Sequence, residues 1–209
     1  MTDILLITFT ITLLFMSIAN RIHTYLNIII FQGFILFAVA YMSLSEINTV
    51  NLIFILFETI VFKALAVPYF IKYVIRRNNI TRETEPFLPN FMSLIIVTMI
   101  IVITIVLSSA VDDRNVDKTY FVVALSNLFT GLYLIISRKK IITHVIGYLV
   151  IENGVFVMSL AVGNEMPMLV NLGIMLDIFA SVLILGIFFN KLGDVVKDPD
   201  VNLLRNLKD

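Results

Sequence analysis

The chain has 209 residues, 59% of them apolar, with 15 basic and 15 acidic side chains and a formal net charge of zero. A soluble domain is roughly 45–50% apolar, so too little polar surface remains to cover a water-soluble fold, and the membrane class is the one that fits. The absence of cysteine excludes disulfides, iron–sulfur clusters and thiolate metal sites within the chain. His23 and His144 alone argue against a haem held by two facing histidines, and zero net charge gives no support to a nucleic-acid partner.

Taken in order, the chain shows seven apolar runs, each near the ~20 residues that cross ~30 Å of hydrocarbon. The first, Ile4–Ile18, is the shortest. It lacks a basic lead-in and is followed by Asn20-Arg21 rather than a small-residue cleavage site, so it is expected to be retained. The second is Leu26–Leu44 and the third Asn51–Ile75, followed by a polar, proline-containing loop, Arg76–Asn90. The fourth is Phe91–Val111, then a charged loop, Asp112–Lys118. The fifth, sixth and seventh are Thr119–Ser137, Ile141–Val162 and Met168–Phe189, and a polar tail covers Asn190–Asp209. The runs are continuously apolar rather than alternating, which argues for helices over a barrel. The expected fold is all-α, a polytopic membrane bundle of about seven helices.

Lysine and arginine orient such a bundle. Arg21 follows the first span; Lys72, Arg76, Arg77 and Arg82 follow the third; Arg138, Lys139 and Lys140 follow the fifth; Lys191, Lys197, Arg205 and Lys208 follow the seventh. The opposite loops hold only Arg114 and Lys118 among several acids. The alternation places the N-terminus outside, and the C-terminus and the Arg76–Asn90 loop in the cytoplasm.

Few ionisable groups lie within the spans. Glu152 is in the sixth, Asp177 in the seventh, and Glu58 and Lys63 in the third. A charge at the bilayer centre costs about 2.5–3.5 kcal/mol on insertion scales, so such residues mark an ion pathway or a specific pairing. The turn Gly163–Pro167 makes the last two spans antiparallel neighbours and sets Glu152 and Asp177 at similar depth, roughly 15–20 Å from it at ~1.5 Å per residue. His144 lies two turns from Glu152, at the cytoplasmic mouth, where it could pass protons or rest as an interfacial histidine. In an α-helix the five-residue spacing of Glu58 and Lys63 separates them by about 140°, so each is expected to meet a partner on another helix. Pro68 frees a carbonyl near Ala64 and predicts a kink. The bland reading of Lys63 is a side chain that climbs toward the interface. Gln32, Asn127, Asn153 and Asn171 are expected to be structural amides, bonding between helices. Gly131, Gly147, Gly154 and Gly173 permit close helix approach. No phosphate-binding loop, nucleophile elbow or metal-ligand cluster is present, so no catalytic role of the chain's own is expected.

The run S-R-K-K-I-I-T-H-V-I-G-Y-L-V-I-E-N-G-V-F from Ser137, with L-D-I-F-A-S-V-L-I-L-G from Leu176, resembles the hydrogenase-4 component E family of membrane subunits. So do F-K-A-L-A-V-P-Y-F-I-K-Y-V-I-R-R from Phe62, R-E-T-E-P from Arg82 and the closing D-P-D-V-N-L-L-R-N-L-K, which together span nearly the whole chain. The last three spans also resemble the small three-helix K subunit of respiratory complex I and its counterpart in multisubunit cation/proton antiporters. That subunit has two membrane glutamates in its proton path. Glu152 corresponds to the first, shifted by about one turn; Asp177 stands in for the second as an aspartate, also displaced. The resemblance divides the chain into a four-helix segment (1–111), a K-subunit-like three-helix segment (119–189) and a cytoplasmic tail (190–209).

The resemblance implies a non-catalytic subunit in the cytoplasmic membrane of a bacterium or archaeon. Its partners would be the lipid bilayer, antiporter-like membrane subunits and a hydrophilic redox arm. Iron–sulfur and nickel–iron centres would belong to those partners, with no cofactor in this chain. Glu152, Asp177, Lys63, Glu58 and His144 are the residues it nominates for a proton or sodium path. Two alternatives stand beside it: a structural or assembly subunit with no path of its own, and a subunit of an antiporter-like transport complex with no hydrogenase. An independent small transporter would be expected to show a repeated half, and no clear internal repeat appears.

Overall fold

The computed structural model describes residues 1–43, 53, 57–77, 86–110, 116–161 and 186. The described residues are helical, with no strand among them. Their elements are α1 (Thr2–Ile18), α2 (Ile22–Ser43), a π-helical segment (Glu58–Ala66) running into α3 (Val67–Arg77), α4 (Asn90–Ser109), α5 (Lys118–Ser137) and α6 (Ile141–Ala161). Four of these, α2, α4, α5 and α6, are long and apolar enough to cross a membrane, and α1 is a shorter apolar helix of 17 residues. The seventh apolar run and the tail lie outside the described residues.

The second span differs from its expected start. Asn20 to Thr24 reads as a polar break, yet α2 begins at Ile22 and leaves only a three-residue corner after α1. The corner is closed by hydrogen bonds. The Tyr25 hydroxyl donates to the Ala19 carbonyl at 3.0 Å, and the Thr24 amide donates to the Arg21 carbonyl at 2.9 Å. The polar residues are thus the first turn of a helix, where free backbone groups need partners.

α5 and α6 form the tightest pair. Asp117 caps α5, its carboxylate accepting from the Thr119 and Tyr120 amides. The Asp117 amide in turn donates to the Ala161 carbonyl at the far end of α6, at 2.8 Å. A Cβ built on Gly131 would lie 2.7 Å from the Gly147 carbonyl oxygen, and one on Gly154 would lie 3.0 Å from the Ala124 carbonyl oxygen. Residue 124 thus meets 154, and 131 meets 147, so the helices run antiparallel in a fixed register. Gly131, Gly147 and Gly154 allow the close approach expected of them, since none carries a Cβ to hold the backbones apart; Gly173 lies outside the described residues.

The core has two apolar clusters. One draws on all six helices, through residues such as Leu13, Met16, Tyr25, Ile71, Val97, Leu134 and Val150. The other joins α1, α2, α5 and α6 through Leu6, Phe9, Leu36, Val123 and Phe156. α4 stands at the edge, and Phe91, Met99 and Val106 are 60–70% exposed, as suits a helix against hydrocarbon. Just before α4, the Phe87 amide donates to the Ser137 carbonyl at 2.9 Å, tying this segment to the turn between α5 and α6.

Candidate functional site

Three helical segments meet at mid-height through three consecutive residue pairs: Gln32-Gly33 on α2, Lys63-Ala64 on the π segment and Glu152-Asn153 on α6. Gly33 sets the distance. A Cβ there would sit 2.9 Å from both Cα and Cβ of Ala64, so α2 and the π segment pack backbone to backbone. That contact brings Lys63 beside α6. Its Nζ lies 2.6 Å from Glu152 Oε1, and both side chains are buried, at 6% and 7% exposure.

The same ammonium sits 4.4 Å from the centroid of the Phe156 ring. Phe156 is one turn beyond Glu152 on α6, so carboxylate and ring present one face to Lys63. The acid that Lys63 meets is therefore Glu152, and the lysine does not climb toward the interface. Ion pair and ring together lower the cost of holding a charge in an apolar interior, which neither could do as well alone.

The π winding explains how Lys63 arrives there. Hydrogen bonds of the i→i+5 kind insert one extra residue into the turn, and here they occupy Glu58–Ala66, ending just before Pro68. Proline lacks the N–H that the Ala64 carbonyl would accept in an α-helix, so the ladder is free to slip by one residue. The irregularity predicted at Ala64 therefore appears as a π segment. It also corrects the angular estimate for Glu58 and Lys63. The wider winding turns the chain by less per residue, so positions 58 and 63 lie closer in angle than the about 140° of an α-helix. Glu58 is described only as backbone. Asp177 and Asn171 lie outside the described residues.

Next to the ion pair runs a row of neutral polar groups. Asn153 Nδ2 donates to Gln32 Oε1 at 3.1 Å, Gln32 Nε2 donates to Thr12 Oγ1 at 2.7 Å, and the Thr12 hydroxyl donates to the Phe9 carbonyl. This row ties α6, α2 and α1 together and fixes the rotation of α6 about its axis. Because Asn153 follows Glu152, holding the amide also aims the carboxylate. Asn127 donates to the Val150 carbonyl, again between helices.

His144 is part-buried, and its Nε2 meets the Arg138 carbonyl oxygen at 2.9 Å. A carbonyl only accepts, so Nε2 carries the hydrogen in this contact. Arg138 and Lys140 depart from the simple reading of a charged interfacial loop, since each is only 1% exposed. Arg138 turns inward and its Nη2 donates to the Ser17 carbonyl in the last turn of α1 at 2.7 Å, where a cation complements the helix dipole. It also lies 5.9 Å from the Tyr25 ring centroid. Charge counting places a residue at a span end but carries no information on where the side chain goes. Among the described residues, no group of three or more histidine, aspartate or glutamate side chains converges as a metal site would require.

Compared with known proteins, the chain is 22% identical over 186 residues to an uncharacterised protein of Mycobacterium tuberculosis, covering 88% of this chain and 84% of that protein. It is 28% identical over 149 residues to hydrogenase-4 component E of Escherichia coli, covering 70% of this chain and 68% of that protein. The same figures hold for hydrogenase-4 component E of Shigella flexneri. No family model matches the chain, and no solved structure matches it at a significant level.

Proposed function

We propose that this chain is a non-catalytic, multi-pass subunit of a hydrogenase-type, complex I-like assembly in the cytoplasmic membrane, and that its buried ion pair is part of a proton or sodium path. The observation that carries this is the Lys63–Glu152 contact at 2.6 Å between two buried side chains in a strongly apolar chain. Ionisable groups inside a membrane bundle are costly and usually functional. The distant likeness to hydrogenase-4 component E supports membership in a multisubunit membrane complex.

In this account the N-terminal segment (1–111) supplies Lys63 and Glu58, and the segment 119–189 supplies Glu152, Asp177 and His144. The seven-span topology, with the N-terminus outside, belongs to the same proposal. Lys63 and Glu152 can exist as an ion pair or as a neutral amine and carboxylic acid, and a proton passing between them interconverts the two. Loading or release of an ion at Glu152 thereby couples to the position of Lys63, whose turn is already irregular. Redox centres, where the assembly has them, belong to its other subunits.

The test is purification of the C-terminally tagged chain in mild detergent followed by mass spectrometry. The expected result is recovery of antiporter-like membrane subunits together with a soluble redox arm. Antiporter-like subunits without a redox arm would move the function to a coupled transport complex. Recovery of the chain alone would overturn the assembly.

A further inference from the structure

Most hydroxyl side chains on the described helices bond to their own backbone. Thr8, Thr10, Thr98, Ser108, Ser109 and Ser159 each donate to a carbonyl three or four residues back. Two on α5 do not. Thr130 Oγ1 and Ser137 Oγ are fully enclosed and have no hydrogen-bond partner among the protein atoms, and the same is true of Asn127 Oδ1. At the end of this helix Nε and Nη1 of Arg138 are likewise buried without a partner. Apart from the Glu152 oxygen that Lys63 holds, every described buried side-chain atom lacking a partner lies on α5 or on Arg138, its capping residue.

These groups share a face. At ~100° per residue, Asn127, Thr130 and Ser137 fall within roughly 80° of arc, and they extend ~15 Å along the axis. Leu134, between them on that arc, packs in one cluster with Leu13 and Met16 of α1 and Val145, Leu149 and Val150 of α6. At one end Asn127 bonds to the carbonyl of Val150, two residues from Glu152. At the other, Arg138 bonds to Ser17 of α1 and accepts from His144. The row thus forms a polar seam along the inward face of α5, from beside the ion pair to the α5–α6 turn.

We infer that this seam binds a file of water molecules. A buried polar group without a partner costs about 1–3 kcal/mol, and repeated enclosed polar atoms on one helix face are the setting in which buried water is retained. One water spans the ~4.5 Å rise from Asn127 to Thr130, and about three span the ~10.5 Å from Thr130 to Ser137. Arg138 Nε and Nη1 hold the last by its oxygen. Such a file passes protons without consuming water, each molecule accepting one proton and donating another. Its use as a route to Glu152 rests on the ion path proposed above, whereas the hydration of the seam stands on its own geometry.

The chain has no cysteine, so a single introduced thiol gives one S–H infrared band. Three variants of the full chain in lipid bilayers are transferred to deuterated buffer: Thr130→Cys, Ser137→Cys and, as a control, Val157→Cys. Val157 is fully buried within the apolar cluster. The expected result is S–H to S–D exchange at least about tenfold faster at 130 and 137 than at 157, since exchange at a dry site must await local opening. Equal rates at all three positions, slow or fast, would overturn the hydrated seam and leave the ion path untouched. Normal ion translocation by Glu152→Gln would remove the path and leave the seam.

Discussion

Lys63→Met is expected to lose most of the chain from the membrane, or to leave it unassembled. The substitution keeps most of the length of the side chain and removes its charge, leaving Glu152 buried at 7% exposure without the lysine cation. Breaking one side of a buried pair costs about 3–5 kcal/mol, a large share of the 5–15 kcal/mol that typically holds a domain together. The contact with the Phe156 ring at 4.4 Å is lost as well. The double variant Lys63→Met with Glu152→Leu has no orphaned charge and should recover much of the lost abundance and thermal stability, because buried pairs can be replaced by apolar groups at little cost. Ion translocation should stay absent in the double variant. Thermal unfolding of both single variants and the double gives the coupling directly. Additive losses would show that the two residues do not act as a pair.

Gly131→Ala should be nearly as damaging, for a different reason. The added methyl would sit 2.6 Å from Ile151 Cγ1, 2.7 Å from the Gly147 carbonyl oxygen and 2.9 Å from the Ile151 amide nitrogen. Two of those three neighbours are backbone, so relief requires α5 and α6 to separate. Overpacking of this sort costs about 1–3 kcal/mol, and the upper end applies where backbone must move. Separation would also strain the Asn127–Val150 contact and the Asp117–Ala161 closure at the helix ends. Ile136→Ala, at a side chain 76% exposed, should change stability by no more than about 0.5 kcal/mol. A melting temperature in detergent that falls for both variants alike would contradict the close glycine contact.

The ends of the fourth, fifth and sixth spans were legible because apolar runs and charged loops alternate sharply there. The expected helices Phe91–Val111, Thr119–Ser137 and Ile141–Val162 lie close to Asn90–Ser109, Lys118–Ser137 and Ile141–Ala161. The start of α2 was harder, because a polar first turn looks the same as a loop until its capping bonds are known. Glu152 and Lys63 could be singled out by the cost of charge in hydrocarbon, but their pairing could not. It depends on a π turn that realigns position 63 and on Gly33 admitting Ala64 to backbone contact, and neither follows from α-helical periodicity. Gln32 and Asn153 were foreseen as interhelical amides, and they bond to each other. Thr130 and Ser137 were not foreseen as polar sites, because a hydroxyl in a membrane helix most often satisfies itself on its own backbone. The signal was available only as a spacing with Asn127 on one face of α5.

The ion path is tested most directly at Glu152. Glu152→Gln preserves size and hydrogen-bonding capacity, removes the titrating group and leaves Lys63 a polar neighbour. In membrane vesicles holding the assembled complex, with assembly verified by co-purification, the account predicts that ion translocation falls by at least about tenfold, the equivalent of 1.4 kcal/mol or more in the limiting step. An assembled complex that moves ions at the unaltered rate with glutamine at position 152 would contradict it, and would leave the Lys63–Glu152 pair as a structural clamp between helices.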